Sequence, residues 1–388
     1  MTHPERKLAK RFDMSGRCAE FTDIVYSGES GTWEKLNETQ RRRMPDPPEY
    51  KVFFGDIHGH SNLSDGGPTP DQYYIGLRDN AGLDFGALSD HDHGGVGKPE
   101  LWKDGKWELI QKKAAEYYEP GRFTTLLAYE RDSYPFYNNL VVYYRYGEGE
   151  MLRGVRDGEM TRAELRAWLS RDDIILVPHD TNVLNYSADF LAMEPEDMVS
   201  LIQIYGRDSS CAEYMGDPLS RGADLEGGHW QDALKRGARM GCIACSDDHG
   251  GRGGIDIGDK PFPRGIAGIT AVWAKENTRE AVFDALKKRR CYGFMGGRMT
   301  VDFRISGHYM GEEITVDGDP EIYYNVTADA PVANVTLVKN CRDYISVKSS
   351  EQLIYDYRQE TEADCYYLRV KLTDGRQAWT SPIWVSRS

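Results

Sequence analysis

Between residue 50 and about residue 295, the chain alternates short apolar runs with segments of helical periodicity. Most of the runs close on a residue that can carry charge or bind a metal ion, as in YKVFFGDIH, which ends at His58, and DDIILVPH, which ends at His179. Runs that are apolar throughout are typical of strands buried in a parallel sheet. The predicted strands are 51–57, 84–89, 124–130, 139–145, 173–178, 199–205 and 240–246, with a further candidate at 267–273.

Helix start signals lie between these runs. Thr69 stands three residues before Gln72, and Asn277 stands three residues before Glu280. This spacing is the signature of a capping box at a helix N-terminus. Strands that alternate with helices indicate β/α units, so we predict the α/β class, with an irregular (β/α)7-like barrel over residues 50–297. In such barrels the functional groups sit at the carboxyl ends of the strands.

The two ends of the chain have a different texture. Residues 1–49 are polar and charged and finish in a proline-rich segment, which we interpret as an N-terminal extension. Residues 298–388 contain β-rich runs such as EIYYNVTA and CYYLRVKL, which turn residues separate. Short strands at this spacing predict a C-terminal all-β, sandwich-like domain. It shows no catalytic signal, and its tryptophans are expected to pack its interior.

Composition narrows the function classes. The 388 residues carry a net charge of -14, which speaks against nucleic acid and anionic membranes as partners. We find no apolar leader and no apolar stretch of about 18 residues or more, the length of a membrane span. The seven scattered cysteines suggest a reducing compartment. We therefore expect a cytoplasmic protein that acts on a small molecule.

Histidine and carboxylate residues cluster at the predicted strand ends. His58 and His60 are two residues apart on a strand, so both side chains face the same side. His91 and His249 each lie in a similar Asp- and Gly-rich segment, SDHDHGG and SDDHGG. A single such residue is as well explained as a satisfied core histidine or a surface carboxylate. Because the strand ends of a barrel meet at one face, the set together predicts a metal centre.

The segments HGHSNLSD, SDHD, PH and SDDHGG, together with the strand-end Glu130, resemble the ordered motifs of the PHP (polymerase and histidinol phosphatase) metallohydrolase superfamily. The resemblance covers about residues 50 to 388 and is strongest to an uncharacterised bacterial branch near the carbamate hydrolase type. It implies that one ion is held by His58, His60, Glu130 and Asp247, a second by Asp65, His91 and His249, and a third by Glu130 and His179. Where the superfamily has a further histidine, this chain offers Asn138 and Asn139, so we expect two divalent ions (Zn, Mn or Fe), with the third site left open. Asp90 is predicted to orient a ligand imidazole.

The resemblance implies hydrolysis by metal-activated hydroxide. A phosphoester is the favoured substrate on the frequency of that reaction in the superfamily, and a carboxylic or carbamic ester or amide is the alternative. A metal-stabilised module that binds a carbohydrate or a partner is a third hypothesis. The candidate catalytic residues outside the metal ligands are His93, as a general acid or base, and Arg131 and Arg207, as cations that stabilise developing negative charge.

Overall fold

The computed structural model describes residues 48–92, 103–132, 137, 139–151, 161–183, 188–207, 212–220, 223–258 and 260–388, and the backbone of residues 24–26 and 33–35. These residues divide into two compact units. The large unit is Tyr50–Gly296, and the small unit combines Met1–Glu49 with Gly297–Ser388.

In chain order the strands are β1 (Ile24–Tyr26), β2 (Trp33–Lys35), β3 (Lys51–Asp56), β4 (Phe85–Leu88), β5 (Thr124–Asp132), β6 (Asn139–Tyr144), β7 (Ile174–His179), β8 (Leu201–Gly206), β9 (Gly241–Cys245), β10 (Gly268–Ala274), β11 (Cys291–Met295), β12 (Met299–Ile305), β13 (His308–Tyr309), β14 (Glu313–Val316), β15 (Glu321–Ala328), β16 (Val332–Lys339), β17 (Arg342–Val347), β18 (Glu351–Tyr355), β19 (Asp364–Leu372), β20 (Gln377–Thr380) and β21 (Ile383–Arg387). The helices are α1 (Pro70–Ile75), α2 (Lys106–Glu116), α3 (Arg162–Leu169), α4 (Trp230–Lys235) and α5 (Arg279–Lys287). A π-helical turn, Gly76–Asn80, continues α1, and Pro195–Asp197 forms one 3-10 turn.

The large unit is built on a mixed sheet with the strand order β11-β10-β3-β4-β5-β6-β7. β3, β4 and β5 are parallel, whereas β6 is antiparallel to both β5 and β7. The predicted strand at 139–145 is therefore present but does not continue a parallel sheet. The connection from Asp132 to Asn139 is too short for a crossover, which needs about a dozen residues or more. β8 and β9 form a separate parallel pair. The mixed α/β class is confirmed, and the (β/α)7-like barrel stays a prediction.

The helix starts follow the capping chemistry of the sequence in part. At α1 the Thr69 side chain accepts from the Gln72 N–H, and the Gln72 side chain accepts from the Thr69 N–H, as the capping box predicts. At α5 the cap is Thr278, whose side chain accepts from the Ala281 N–H, and not Asn277. Asn277 instead donates its amide to the Asp84 carbonyl, 2.8 Å away. The cap therefore lies one residue later than predicted.

The core of the large unit lies under the strand ends that carry the predicted ligands. Side chains from β4, β5, β6 and β7, including Phe85, Leu126, Val141 and Val177, are buried in one cluster. The apolar face of α5 packs into the same cluster. Each Å² of apolar surface buried in this cluster stabilises the fold by about 25 cal/mol, and the close packing holds the strands rigidly, so that the polar groups at their ends have fixed positions.

The small unit is β-rich, as predicted for the C-terminal part. β13, β12, β15 and β18 form one antiparallel sheet. In a second group, β19 pairs with β16, β20 and β21, β16 pairs with β17, and β14 runs parallel to β21. Across the described parts of both units, no helix combines the length and the apolar character that crossing a membrane would require.

Candidate metal centre

Backbone hydrogen bonds hold the ends of β3 and β9 together. The Asp247 N–H donates to the His58 carbonyl at 3.0 Å, and the His60 N–H donates to the Asp248 carbonyl at 2.8 Å. These residues are close to 190 apart in the chain, and the bonds bring their side chains to one point. Gly59, between the two histidines, has no room for a Cβ atom, which would lie 2.6 Å from the Tyr73 hydroxyl oxygen and 3.0 Å from the Asp248 carbonyl oxygen. The HxH spacing therefore depends on glycine at its centre.

A second pair of backbone bonds places His91 beside Glu130. The Glu130 N–H donates to the Asp90 carbonyl at 3.0 Å, and the Asp92 N–H donates to the Glu130 carbonyl at 2.7 Å. The parallel ladder between β4 and β5 thus extends past the end of β4. It delivers the imidazole of His91 to the Glu130 carboxylate, with 3.4 Å between Nδ1 and Oε2.

Four fully or almost fully buried side chains form what we call the inner cluster: His58, His60, Glu130 and Asp247. The Nε2 atoms of both histidines lie 3.2 Å from Glu130 Oε2, and they lie 3.3 and 3.1 Å from Asp247 Oδ1. An ion with ligand distances of about 2.1 Å in a tetrahedral site keeps its ligand atoms about 3.4 Å apart. The spacing of these four atoms matches that requirement, so the inner cluster could hold a metal ion.

The outer cluster consists of Asp65, His91, His249 and the shared residue His60. Asp65 Oδ1 lies 3.6 Å from His91 Nε2, 3.3 Å from His249 Nε2 and 3.8 Å from His60 Nδ1. The side chains of His91 and His249 are 22% and 39% exposed, so this cluster faces solvent. His60 Nδ1 is buried and, among the described residues, has no hydrogen-bond partner, and it faces this cluster. The donor set suits a second ion that remains accessible from outside.

His179 lies next to the inner cluster, where it contacts Glu130 at the same oxygen as Asn139. Its Nε2 is 3.0 Å from Glu130 Oε1, and the amide of Asn139 donates to the same oxygen at 2.6 Å. Asn139 reaches this point because it pairs with His179 across β6 and β7. Asn138, the other predicted candidate, lies outside the described residues. Glu130 Oε1 therefore contacts both His179 and Asn139, and the third ion stays a prediction.

The charges of the inner cluster perturb each other strongly. Burial alone would lower the pKa of His60, but hydrogen bonds to Asp247 and Glu130 outweigh burial and raise that pKa well above its usual range. Burial opposes protonation of His179 too, yet the Glu130 carboxylate raises its pKa to about 9. In Glu130 the imidazoles of His91 and His179 overcome the effect of burial and hold the pKa well below its usual range. Protons on the imidazoles therefore balance the carboxylates where no cation does so.

The loop that carries Asp65 is tied down by Asp90. The Asp90 carboxylate accepts from the Ser61 N–H at 2.7 Å, from the Ser61 hydroxyl at 2.6 Å and from the Ser64 hydroxyl at 2.5 Å. In the part of the chain that the structure describes, Asp90 contacts no imidazole, so its predicted role is wrong. Its polar partners are the serines of the HGHSNLSD segment, which lie closer to it than any ligand ring.

Gln203 was not predicted to belong to the site. Its Oε1 lies 2.8 Å from His58 Nδ1, and both side chains are buried. The available signal was one amide inside the otherwise apolar run of β8, LIQIYG. A buried amide needs hydrogen-bond partners, and that requirement could have marked it.

The three candidate catalytic residues have different positions. The Arg131 guanidinium lies 4.6 Å from the ring centre of Trp168, on α3. Because neighbours on a strand face opposite sides of the sheet, Arg131 points away from the carboxylate of Glu130. The Arg207 guanidinium is buried, pairs with Asp248 and donates to the carbonyls of Arg252 and Ile255. Through these contacts both arginines stabilise the fold, and the contacts do not support a catalytic role for either residue.

His93 lies outside the described residues. Its predicted role as a general acid or base therefore stays a prediction.

Comparison with known proteins gives relatives without an established activity. Residues 257–328 match the family described as a protein of unknown function, DUF3604. An uncharacterized protein of Chlamydia pneumoniae is 26% identical over 361 residues, which cover 86% of this chain and 57% of the relative. Uncharacterized proteins of Chlamydia muridarum and Chlamydia trachomatis are each 24% identical, with the same coverage. The chain spans little more than half the length of these curated relatives.

Two solved structures are also similar. One is a two-domain protein of Bacteroides vulgatus described as containing a predicted PHP-like metal-dependent phosphoesterase; it is 14% identical, with 89% of this chain and 97% of that chain covered and a TM-score of 0.43. The other, from Bifidobacterium adolescentis, is described as a candidate metal-dependent phosphoesterase; it is 13% identical, with 53% and 91% covered and a TM-score of 0.33. TM-scores of this size do not assign a fold by themselves.

Proposed function

We propose that this protein is a metal-dependent hydrolase of the PHP superfamily, that its large unit is an irregular (β/α)7-like barrel, and that its substrate is a phosphoester. The observation that carries the proposal is the pair of adjoining clusters: a buried one, formed by histidines and carboxylates from separate strand ends, and a partly exposed one that shares His60 with it. A structural metal site is usually one compact set of four ligands. Two joined clusters, of which one faces solvent, fit a catalytic centre better.

The two clusters differ in burial, and this difference suggests a different role for each. A divalent ion bound there would supply a Lewis acid and lower the pKa of a coordinated water molecule towards neutrality. The inner cluster has two carboxylates and is shut off from solvent, which suits tight retention of a cation. The outer cluster has one carboxylate, Asp65, and a half-exposed His249, which leaves room for a substrate group to approach.

The choice of a phosphoester rests on the sequence resemblance. A carboxylic or carbamic ester or amide is the alternative, because the same ligand set serves both reactions. Arg131 and Arg207 already have partners within the protein, so the charge of a phosphate would have to be met mainly by the ions. A metal-stabilised binding module is the remaining alternative, and it would need a closed, saturated ligand set. The exposure of the outer cluster argues against it.

The test combines metal analysis with a panel of substrates: p-nitrophenyl phosphate, bis-p-nitrophenyl phosphate, p-nitrophenyl acetate and a p-nitrophenyl carbamate. The wild type is compared with Asp247→Asn, which removes an inner ligand, and with Glu116→Gln, a matched carboxylate-to-amide change at an exposed position of α2. We expect hydrolysis of a phosphate ester that Asp247→Asn abolishes and Glu116→Gln leaves unchanged. Hydrolysis of only the acetate or the carbamate would show that the substrate is a carboxylic or carbamic ester and not a phosphoester. A wild type that binds no divalent ion would refute the proposal.

A further inference from the structure

The imidazole of His58 is held from behind by an amide. Its Nδ1 lies 2.8 Å from Gln203 Oε1, while its Nε2 faces Glu130 Oε2 at 3.2 Å and Asp247 Oδ1 at 3.3 Å. A neutral imidazole has one N–H and one lone pair, and the partner of one nitrogen decides the state of the other. An amide oxygen can only accept, so it selects the tautomer with the proton on Nδ1. The lone pair of Nε2 then points into the inner cluster.

From this geometry we infer that Gln203 is a positioning residue for the inner ion: it fixes the tautomer and the ring orientation of His58. The inference rests on the proposed role of the inner cluster in binding metal. Groups that orient a ligand histidine in this way typically change metal affinity by about 10- to 100-fold when they are removed.

The choice of an amide over a carboxylate has an electrostatic consequence. The inner cluster already contains the Glu130 and Asp247 carboxylates, whose two negative charges a divalent ion would neutralise. A neutral acceptor behind His58 sets the tautomer without adding a third negative charge. A glutamate at position 203 would keep an acceptor at this place and make the imidazole more basic, so it should bind metal well but leave the ion a weaker Lewis acid.

Three variants test this inference: Gln203→Leu, which removes the acceptor, Gln203→Glu, which keeps it, and Tyr143→Phe as the matched control. The Tyr143 hydroxyl donates to the Ile57 carbonyl at 3.0 Å, so the control removes a buried hydrogen bond at the same strand end without touching a ligand. Dissociation constants for Zn²⁺ are measured by chelator competition, and the visible absorption spectrum of the Co²⁺ form reports the ligand geometry.

We expect Gln203→Leu to weaken binding of the tighter ion by about 10- to 100-fold and to shift the Co²⁺ bands. Gln203→Glu should bind at least as tightly as the wild type, and Tyr143→Phe should leave both readouts unchanged. Wild-type affinity and spectrum in Gln203→Leu would overturn the inference. So would an equal loss in Tyr143→Phe, which would indicate a loosened strand, or a Gln203→Glu protein as weak as the leucine variant. A wild type that hydrolyses none of the esters would defeat the proposed function and leave these binding comparisons intact.

Discussion

Replacement of Asp90 should uncouple the outer cluster from the inner one. The carboxylate is buried and accepts three hydrogen bonds from Ser61 and Ser64, which anchor the loop that ends at Asp65. Hydrogen bonds to a charged acceptor contribute about 1.5–3 kcal/mol each, which sums to about 4.5–9 kcal/mol. Removal of a buried charge returns several kcal/mol of desolvation free energy. We therefore expect Asp90→Ala to lower the free energy of unfolding by about 3 kcal/mol.

Asp90→Asn is the matched control for this prediction. Its amide oxygen can still accept from the Ser61 N–H and from the Ser64 hydroxyl, and its NH₂ group can donate to the Ser61 hydroxyl oxygen once that hydroxyl rotates. Only the charge assistance is lost, so the expected cost is about 1–2 kcal/mol. Asparagine has nearly the volume of aspartate, so Asp90→Asn removes the charge alone, whereas Asp90→Ala also removes the hydrogen-bond acceptors.

The assays are urea unfolding of the metal-free protein and titration of metal stoichiometry. Asp65 depends on the anchored loop, whereas His58, Glu130 and Asp247 lie on strands or directly at their ends. Asp90→Ala should therefore weaken the outer ion by about 10-fold or more and leave the inner ion nearly unchanged. The reasoning fails if Asp90→Ala unfolds at the wild-type urea concentration, or if both ions are weakened equally.

Three further predictions concern the same fold. In Gly59→Ala the new Cβ would lie 2.6 Å from the Tyr73 hydroxyl oxygen, so we expect the free energy of unfolding in urea to fall by about 1–3 kcal/mol. Gly258→Ala, with nothing within 4 Å of the new Cβ, should be neutral. The raised pKa of His60 means that this ring is protonated near neutrality in the ion-free protein, so metal binding should release protons and metal affinity should rise with pH between about 6 and 8. Calorimetry in buffers of different ionisation enthalpy would detect the released protons. An affinity that does not change with pH would contradict this prediction. Lys339→Met in the small unit leaves the buried carboxylate of Asp356 without its ammonium partner, 2.7 Å away, and should cost about 3–5 kcal/mol in thermal or urea unfolding.

Several features of the site could be predicted because they are local. The HxH segment, the SDDHGG segment and the strand-end Glu130 can be recognised from their immediate neighbours, and the structure brings these residues together. Thr69 is a correct helix cap for the same reason, because a capping box involves only one turn of chain. Gln203 and the partners of Asp90 could not be found in this way. Their bonds join segments that are 145 and 29 residues apart.

By itself, the sequence determined which segments are strands and helices, the mixed α/β class and the residue types that converge on a metal centre, since periodicity and capping act over a few residues. Only the tertiary structure decided which of those residues form the inner cluster, which form the outer cluster and which lie elsewhere. The bonds between the ends of β3 and β9 set the inner cluster. The antiparallel pairing of β6 with β5 placed the Asn139 amide against the Glu130 carboxylate. The facing of side chains along β5 placed Arg131 against Trp168 of α3. Such outcomes depend on strand order and facing, which are set by packing between segments far apart in the chain.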